Sequence, residues 1–239
     1  MDYSTLREKH FVITGGTGGL GQAVVEQLVE AQAYCTIPCL NEQELSDFPF
    51  ANHHNITTKT GINLTDPGEA EQFFNSTAES SPIWASLHLA GGFGMGKIEQ
   101  VNSEDLLKMF NINVLTCFNS CKFSIQAMRK QGSGGRVVNV AARPAEFPRQ
   151  GAGLSTYTAS KAGVAALTQS LAQEVYSEDI LINAVSPSII DTPANREGMP
   201  QADHSKWPKP EEIAKAILFL ASPKNTLTHG AILPVYGYS

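Results

Sequence analysis

Thr14-Gly15-Gly16-Thr17-Gly18-Gly19-Leu20-Gly21 joins a short β-branched run, Phe11 to Thr14, to a helical pattern, Leu20 to Ala31, with apolar residues at Val24, Val25, Leu28 and Val29. Glycine lets the backbone turn tightly and approach a bound group with no Cβ in the way. The helix after the turn offers free N–H groups and a positive dipole end to an anion. A glycine cluster between a first strand and a first helix is the context that a dinucleotide phosphate site requires. Thr14, Gly15, Thr17, Gly18, Gly19, Leu20 and Gly21 are therefore candidate cofactor-binding residues.

Outward from this turn, short apolar runs alternate with helical patterns, which signals βαβ units and a parallel sheet. Tyr34 to Ile37 reads as a second strand, Asn55 to Leu64 contains a third, and Ile83 to Leu89 is a fourth. Arg136 to Ala141, Ile180 to Val185 and Ala231 to Val235 complete the set. Thr65-Asp66-Pro67 opens a helix with a capping side chain and a proline whose missing N–H is not needed. Further helical patterns cover Ser103 to Lys130, Ser155 to Tyr176 and Glu211 to Ala221. In the first of these, Leu106, Leu107, Phe110, Val114, Phe118 and Ile125 form one apolar stripe. The fold class is α/β: a Rossmann-type doubly wound parallel sheet in three layers (α/β/α), one domain over residues 1–239. Residues 189–208 are too long for a plain connection and come after a late strand, where ligands bind in open α/β sheets. They read as a substrate lid, with Ile190, Met199 and Trp207 as its apolar surface.

Hydrophobic residues at 42% and charged residues at 17% mark a globular chain, long enough at 239 residues for its own core. A net charge of −6 with no basic run argues against a nucleic-acid partner. No apolar stretch is long enough to cross a bilayer, and Met1 to His10 holds no signal-peptide core, so a cytoplasmic location without membrane contact is expected. Cys117 and Cys121 share a helix face. They read as core or interface residues, because no histidine or second cysteine pair supplies a metal set, and no metal is expected.

The end of the second strand should select the cofactor: an acid there binds the ribose 2′-OH of NAD, and an arginine nearby accommodates the 2′-phosphate of NADP. That position falls at Cys39, which is neither. Glu42 and Glu44 read as solvent-facing, and no Lys or Arg comes after Cys39 until Lys59. The cofactor is NAD or NADP, with the missing cation leaning towards NAD.

Tyr157-Thr158-Ala159-Ser160-Lys161 sets a phenol and an amine one helical turn apart. A cation beside a phenol favours the phenolate, which suits the tyrosine to proton transfer. With the glycine turn, this pair makes the chain resemble the short-chain dehydrogenase/reductase family from Phe11 to Gly237. His88-Leu89-Ala90-Gly91 looks like the family's N-N-A-G segment with the last two residues kept, which implies that Ala90, Gly91 and Gly92 border the cofactor. The resemblance implies Tyr157 as acid/base, Lys161 as the residue that binds the ribose and lowers the tyrosine pKa, and Asn113 as the anchor of a proton relay. Asn63 and Leu64 fall where the family holds the adenine. Pro187, Ile190 and Thr192 lie in a stretch similar to its P-G-x-x-x-T motif beside the nicotinamide. It also implies the strand order 3-2-1-4-5-6-7 and a homodimer or homotetramer paired through the helices at 103–130 and 155–176.

The chain departs from the family at the end of the fifth strand, where the family's serine is matched by Ala142, which cannot donate a hydrogen bond. Ser155 or Thr156 could supply a hydroxyl instead. Ala142, Arg143, Phe93, Phe147 and Trp207 are the candidate substrate-facing residues. Three functions fit these residues: an NAD(P)-dependent oxidoreductase acting on a small carbonyl or alcohol; a pteridine- or imine-type reductase, as in dihydropteridine reductase-like members; and a dinucleotide-binding sensor without turnover.

Overall fold

The apolar runs form seven parallel strands in the computed structural model, which describes residues 4–239. The strands are β1 (His10–Thr14), β2 (Tyr34–Pro38), β3 (Ile56–Lys59), β4 (Ala85–His88), β5 (Gly135–Val140), β6 (Ile180–Pro187) and β7 (Ile232–Val235). Their order across the sheet is 3-2-1-4-5-6-7, as the sequence implied. β1 sits at the switch point, with Phe11 opposite both Cys35 of β2 and Ala85 of β4.

Side chains alternate across each strand, so the sheet builds two cores. Phe11, Ile13, Cys35, Ile37 and Leu87 point to one face, under α1 (Gly19–Glu30) and α8 (Pro210–Ala221), with Val24, Leu28, Ile213, Ile217 and Leu218. Val12, Val137, Ile180 and Ile182 point to the other. There they meet α2 (Pro67–Ser80), α4 (Thr116–Gln131) and α6 (Ser155–Glu174) through Phe73, Phe74, Cys121, Met128 and Val164. The start of α2 matches its sequence: the Asp66 carboxylate accepts from the N–H groups of Gly68 and Glu69, with Pro67 next in line.

Two segments differ from expectation. The helix expected over Ser103–Lys130 is α3 (Ser103–Met109), a π-helical stretch over Phe110–Leu115, and then α4. The extra residue in the π turn rotates the downstream helix, so the stripe does not face one way: Ile125 is buried, whereas Leu107, Phe110 and Phe118 are exposed. The 189–208 segment is not wholly irregular. It holds α7 (Pro193–Gly198), capped by Thr192, and a 3-10 turn at His204–Lys206. A one-turn α5 (Arg143–Glu146) comes after β5. No described helix is long and apolar enough to cross a membrane.

Phe74 is fully buried and meets Phe73 edge-on at 5.1 Å between ring centroids. Phe74→Ala is expected to lower unfolding free energy by about 3–5 kcal/mol in urea titrations while leaving the sheet intact by circular dichroism.

Candidate functional site

The glycine turn is built by close approach. Gly15 has φ +67, and a Cβ on it would come within 2.6 Å of the Ala90 nitrogen at the end of β4. A Cβ on Gly21 would run into the Gly15 carbonyl. The Thr14 hydroxyl accepts from Ala90 N at 3.2 Å, which ties β1 to β4 at the carboxyl edge of the sheet. No side chain caps α1 after Gly18, so the N–H groups of its first turn remain available to a ligand. A cavity of about 690 Å³ opens over this turn. Gly15, Thr17, Gly18, Asn63, Leu64, Ala90 and Gly91 line it, as do Leu40, Glu44 and Thr116. Gly19 lies under the Thr192 methyl, whereas Leu20 and Ile190 pack on the α1/α8 core and Pro187 ends β6.

Cys39 is a correction to the sequence reading. It is buried, its thiol faces the Ile37 carbonyl, and it is not part of the cavity wall. The alternation of β2 turns Cys39 inwards and brings Leu40 and Glu44 to the cavity. Glu44, read as solvent-facing, is held there by two bonds: its carboxylate accepts from Leu40 N at 3.1 Å and from the Thr17 hydroxyl at 3.3 Å. A signal for this lies in the sequence. Asn41 and Glu44 stand three apart, the spacing of a capping box, and the Asn41 side chain accepts from Glu44 N at 3.3 Å. That arrangement turns the acid back on the chain.

Gly91, in the cavity wall, leads to a cluster of polar groups that lies behind it. Asn113 lies buried in the π turn with its amide fully bonded. Its oxygen accepts from Gly92 N at 2.9 Å, and its nitrogen donates to Gly92 O at 3.1 Å and to Ser160 Oγ at 3.0 Å. Ser160 in turn donates to the Tyr157 carbonyl at 2.8 Å. A Cβ on Gly91 would come within 2.6 Å of Asn113 Oδ1 and 3.4 Å of Lys161 Nζ, so only glycine lets the β4 loop lie against both. Lys161 Nζ donates to the Val140 carbonyl at 2.8 Å, and burial lowers its pKa to about 8.

Tyr157 differs from expectation. Burial pushes its phenol up to about 12, and the nearby lysine does not offset this, because the ammonium is turned to Val140. Phe93 crosses the Tyr157 ring edge-on at 5.0 Å between centroids, and Phe93 itself is exposed.

The remaining substrate-facing candidates divide. Ala142 is buried at the end of β5, just before α5. Arg143 is engaged within the protein: it donates to the Ser239 carbonyl and stacks 5.1 Å from the Tyr236 ring centroid. Phe147 is half exposed, edge-on to Tyr236. Trp207 is buried against His204 and presents no lid surface, because its own segment folds around it. Thr156 is buried beside Phe93 in a second cavity, and Ser155 is exposed.

A family model described as short chain dehydrogenase matches residues 9–203. The 3-oxoacyl-[acyl-carrier-protein] reductase FabG of Rickettsia bellii is 30% identical over 234 residues, covering 95% of this chain and 94% of its own. Among solved structures, gox2181 aligns with a TM-score of 0.88 at 27% identity, covering 98% of this chain and 96% of its own. ElxO with NADP bound aligns at 0.87 and 23% identity, covering 96% and 98%.

Lys161 carries a pH signature. Its folded pKa, near 8, lies below the unfolded value of about 10.5, so the unfolded chain binds more protons between the two and folding gains stability as pH rises. Wild type is expected to gain up to roughly 3 kcal/mol relative to Lys161→Met as pH climbs through this window. Parallel urea titrations at several pH values from about 7 to 10.5 read the difference, which should be flat below the window.

Proposed function

This chain belongs to the short chain dehydrogenase family and is an NAD(P)-binding oxidoreductase, and from that premise we propose that it transfers a hydride between NAD and a small carbonyl or alcohol substrate, with Tyr157 as acid/base. One observation carries the reading: Gly91 lies against both Asn113 and Lys161 and also lines the cavity that begins at the glycine turn. Gly91 thus links the cavity at the glycine turn to the Asn113 and Lys161 side chains behind it.

The residues present fit a dinucleotide. Gly15 and Gly18 leave backbone room, the first turn of α1 offers unpaired N–H groups, and Asn63 and Leu64 wall the far side. Bound there, the dinucleotide supplies or accepts the hydride. Every other task falls to the chain. Tyr157 gives or takes the proton. A phenol near 12 is poorly matched to neutral pH, so Lys161 must lend its charge by turning from Val140 towards Tyr157. Asn113 positions rather than reacts: its amide locks the Gly92 loop to α6 through Ser160. Phe93 shields the phenol from water and walls the substrate pocket. Residues 189–208 act as a lid whose neck is closed by the Asp191 N–H donating to Pro208 O at 3.0 Å. Exposed Phe110 and Phe118 support pairing of two copies through this part of the molecule.

Glu44 supports NAD over NADP, because a carboxylate at the β2 end of the cavity accepts a hydroxyl and repels a phosphate. The carbonyl or alcohol substrate draws support from the Rickettsia bellii relative, named for reduction of a 3-oxoacyl group. Buried Ala142 favours a second reading, an imine- or pteridine-type substrate that needs no hydroxyl donor at the end of β5. A panel of ketones, alcohols and quinonoid pterins separates the two.

Tyr157→Phe should lower turnover by about 10²–10⁴-fold while dinucleotide affinity, read by fluorescence titration, stays unchanged. Equal loss of both would remove the acid/base role. Glu44→Gln should improve NADPH affinity relative to NADH by roughly fivefold, about 1 kcal/mol. An unchanged ratio would overturn the NAD assignment.

A further inference from the structure

Away from the cofactor cavity, the fold brings together three side chains that are distant in sequence. His88 at the end of β4 meets Cys117 and Cys121, one turn apart on α4. A ring nitrogen and both sulfurs lie within 4.8 Å of one another, and all three residues are buried. His88 Nδ1 is 3.4 Å from Cys121 Sγ. Ligand atoms arranged tetrahedrally around zinc stand about 3.5–3.8 Å apart, given bonds of about 2.3 Å to sulfur and 2.0 Å to nitrogen. The spacing therefore needs only small side-chain movements to close on an ion. We propose that His88, Cys117 and Cys121 form a structural site for a thiophilic divalent cation, Zn²⁺.

The surroundings complete the set. Asn139 Oδ1 lies 2.8 Å from His88 Nδ1 and 3.5 Å from Cys121 Sγ, the place of a fourth, neutral donor. Its orientation is fixed from behind. Asn139 Nδ2 donates to Thr168 Oγ1 at 2.9 Å, and that hydroxyl is already committed as donor to Val164 O, so the amide oxygen must face the cluster. His88 Nε2 is 2.7 Å from Ser86 Oγ. With Nδ1 on the cation, Nε2 carries the ring proton and donates it to Ser86, the outer hydrogen bond that metal-bound imidazoles make.

Charge decides the kind of ion. Two thiols give up two protons as two metal–sulfur bonds form, so a divalent cation with two thiolates, a neutral imidazole and an amide oxygen is neutral overall. A neutral complex can be buried without an unpaired charge. A monovalent ion on the same two thiolates would leave a buried negative charge. Hard cations such as Mg²⁺ and Ca²⁺ prefer oxygen.

The test uses the full chain, reduced and stripped with a chelator, and Co²⁺ as the spectroscopic probe. Thiolate-to-cobalt absorption is expected to saturate at one ion per chain, to vanish on adding Zn²⁺, and to accompany release of two protons per ion in weak buffer. Cys121→Ser should abolish the absorption. Ser86→Ala, which leaves all ligands in place, should weaken binding by about tenfold or more. Absence of thiolate absorption in wild type would overturn the site, whatever the variants do, since that measurement depends on no variant folding. Absorption that persists in Cys121→Ser, with wild-type circular dichroism, would place the ion elsewhere and overturn it equally.

Discussion

The molecule depends on one close approach between two stretches of backbone. At the carboxyl edge of the sheet, Gly15 and Ala90 come so near that no Cβ fits between them, and the Thr14 hydroxyl bonds Ala90 N across the same gap. That contact fixes where the chain leaves β1 and where it leaves β4. The first exit aims the free N–H groups of α1 into the cavity. The second carries Gly91 and Gly92 onto Asn113 and Lys161. Binding and chemistry are joined because two adjacent parallel strands diverge at one crevice, the position at which open α/β sheets bind ligands.

The polar groups beyond this crevice work as a frame before they work as a reaction centre. Asn113 uses its whole amide to hold a loop and a helix, and Ser160 passes that restraint to the backbone of Tyr157. Lys161 is buried and bonded to one carbonyl, a costly placement for an ammonium. Sites of this kind concentrate unusual pKa values because the rest of the fold is rigid enough to hold them.

Much of this was legible in the sequence. The capping of α2, the glycine turn and the Tyr157–Lys161 spacing are local or periodic signals that the chain carries openly, and strand order came with the family resemblance they support. The features that escaped depend on long-range pairing. Cys39 and Glu44 exchange roles because the phase of β2 at its last residue sets which one faces the cavity. Trp207 is large and apolar, but whether such a residue covers a ligand or its own loop is decided by how residues 189–208 fold, which no period encodes. The meeting of His88 with Cys117 and Cys121 results from β4 lying beneath α4, a juxtaposition invisible along the chain.

The π turn at Phe110–Leu115 adds one residue to the helical count, and an α-helix advances about 100° per residue. Winding the same residues as a regular α-helix, with none removed, would leave the downstream half out of phase by that angle. Cys117 and Cys121 would swing off the sheet. The irregularity thus works as a phase adjuster, letting one continuous rod show an apolar outer surface along its first part and turn Cys121, Ile125 and Met128 into the core along its second. A further insertion near position 113 would therefore be felt as a rotation many residues away, long before it was felt as a change in length.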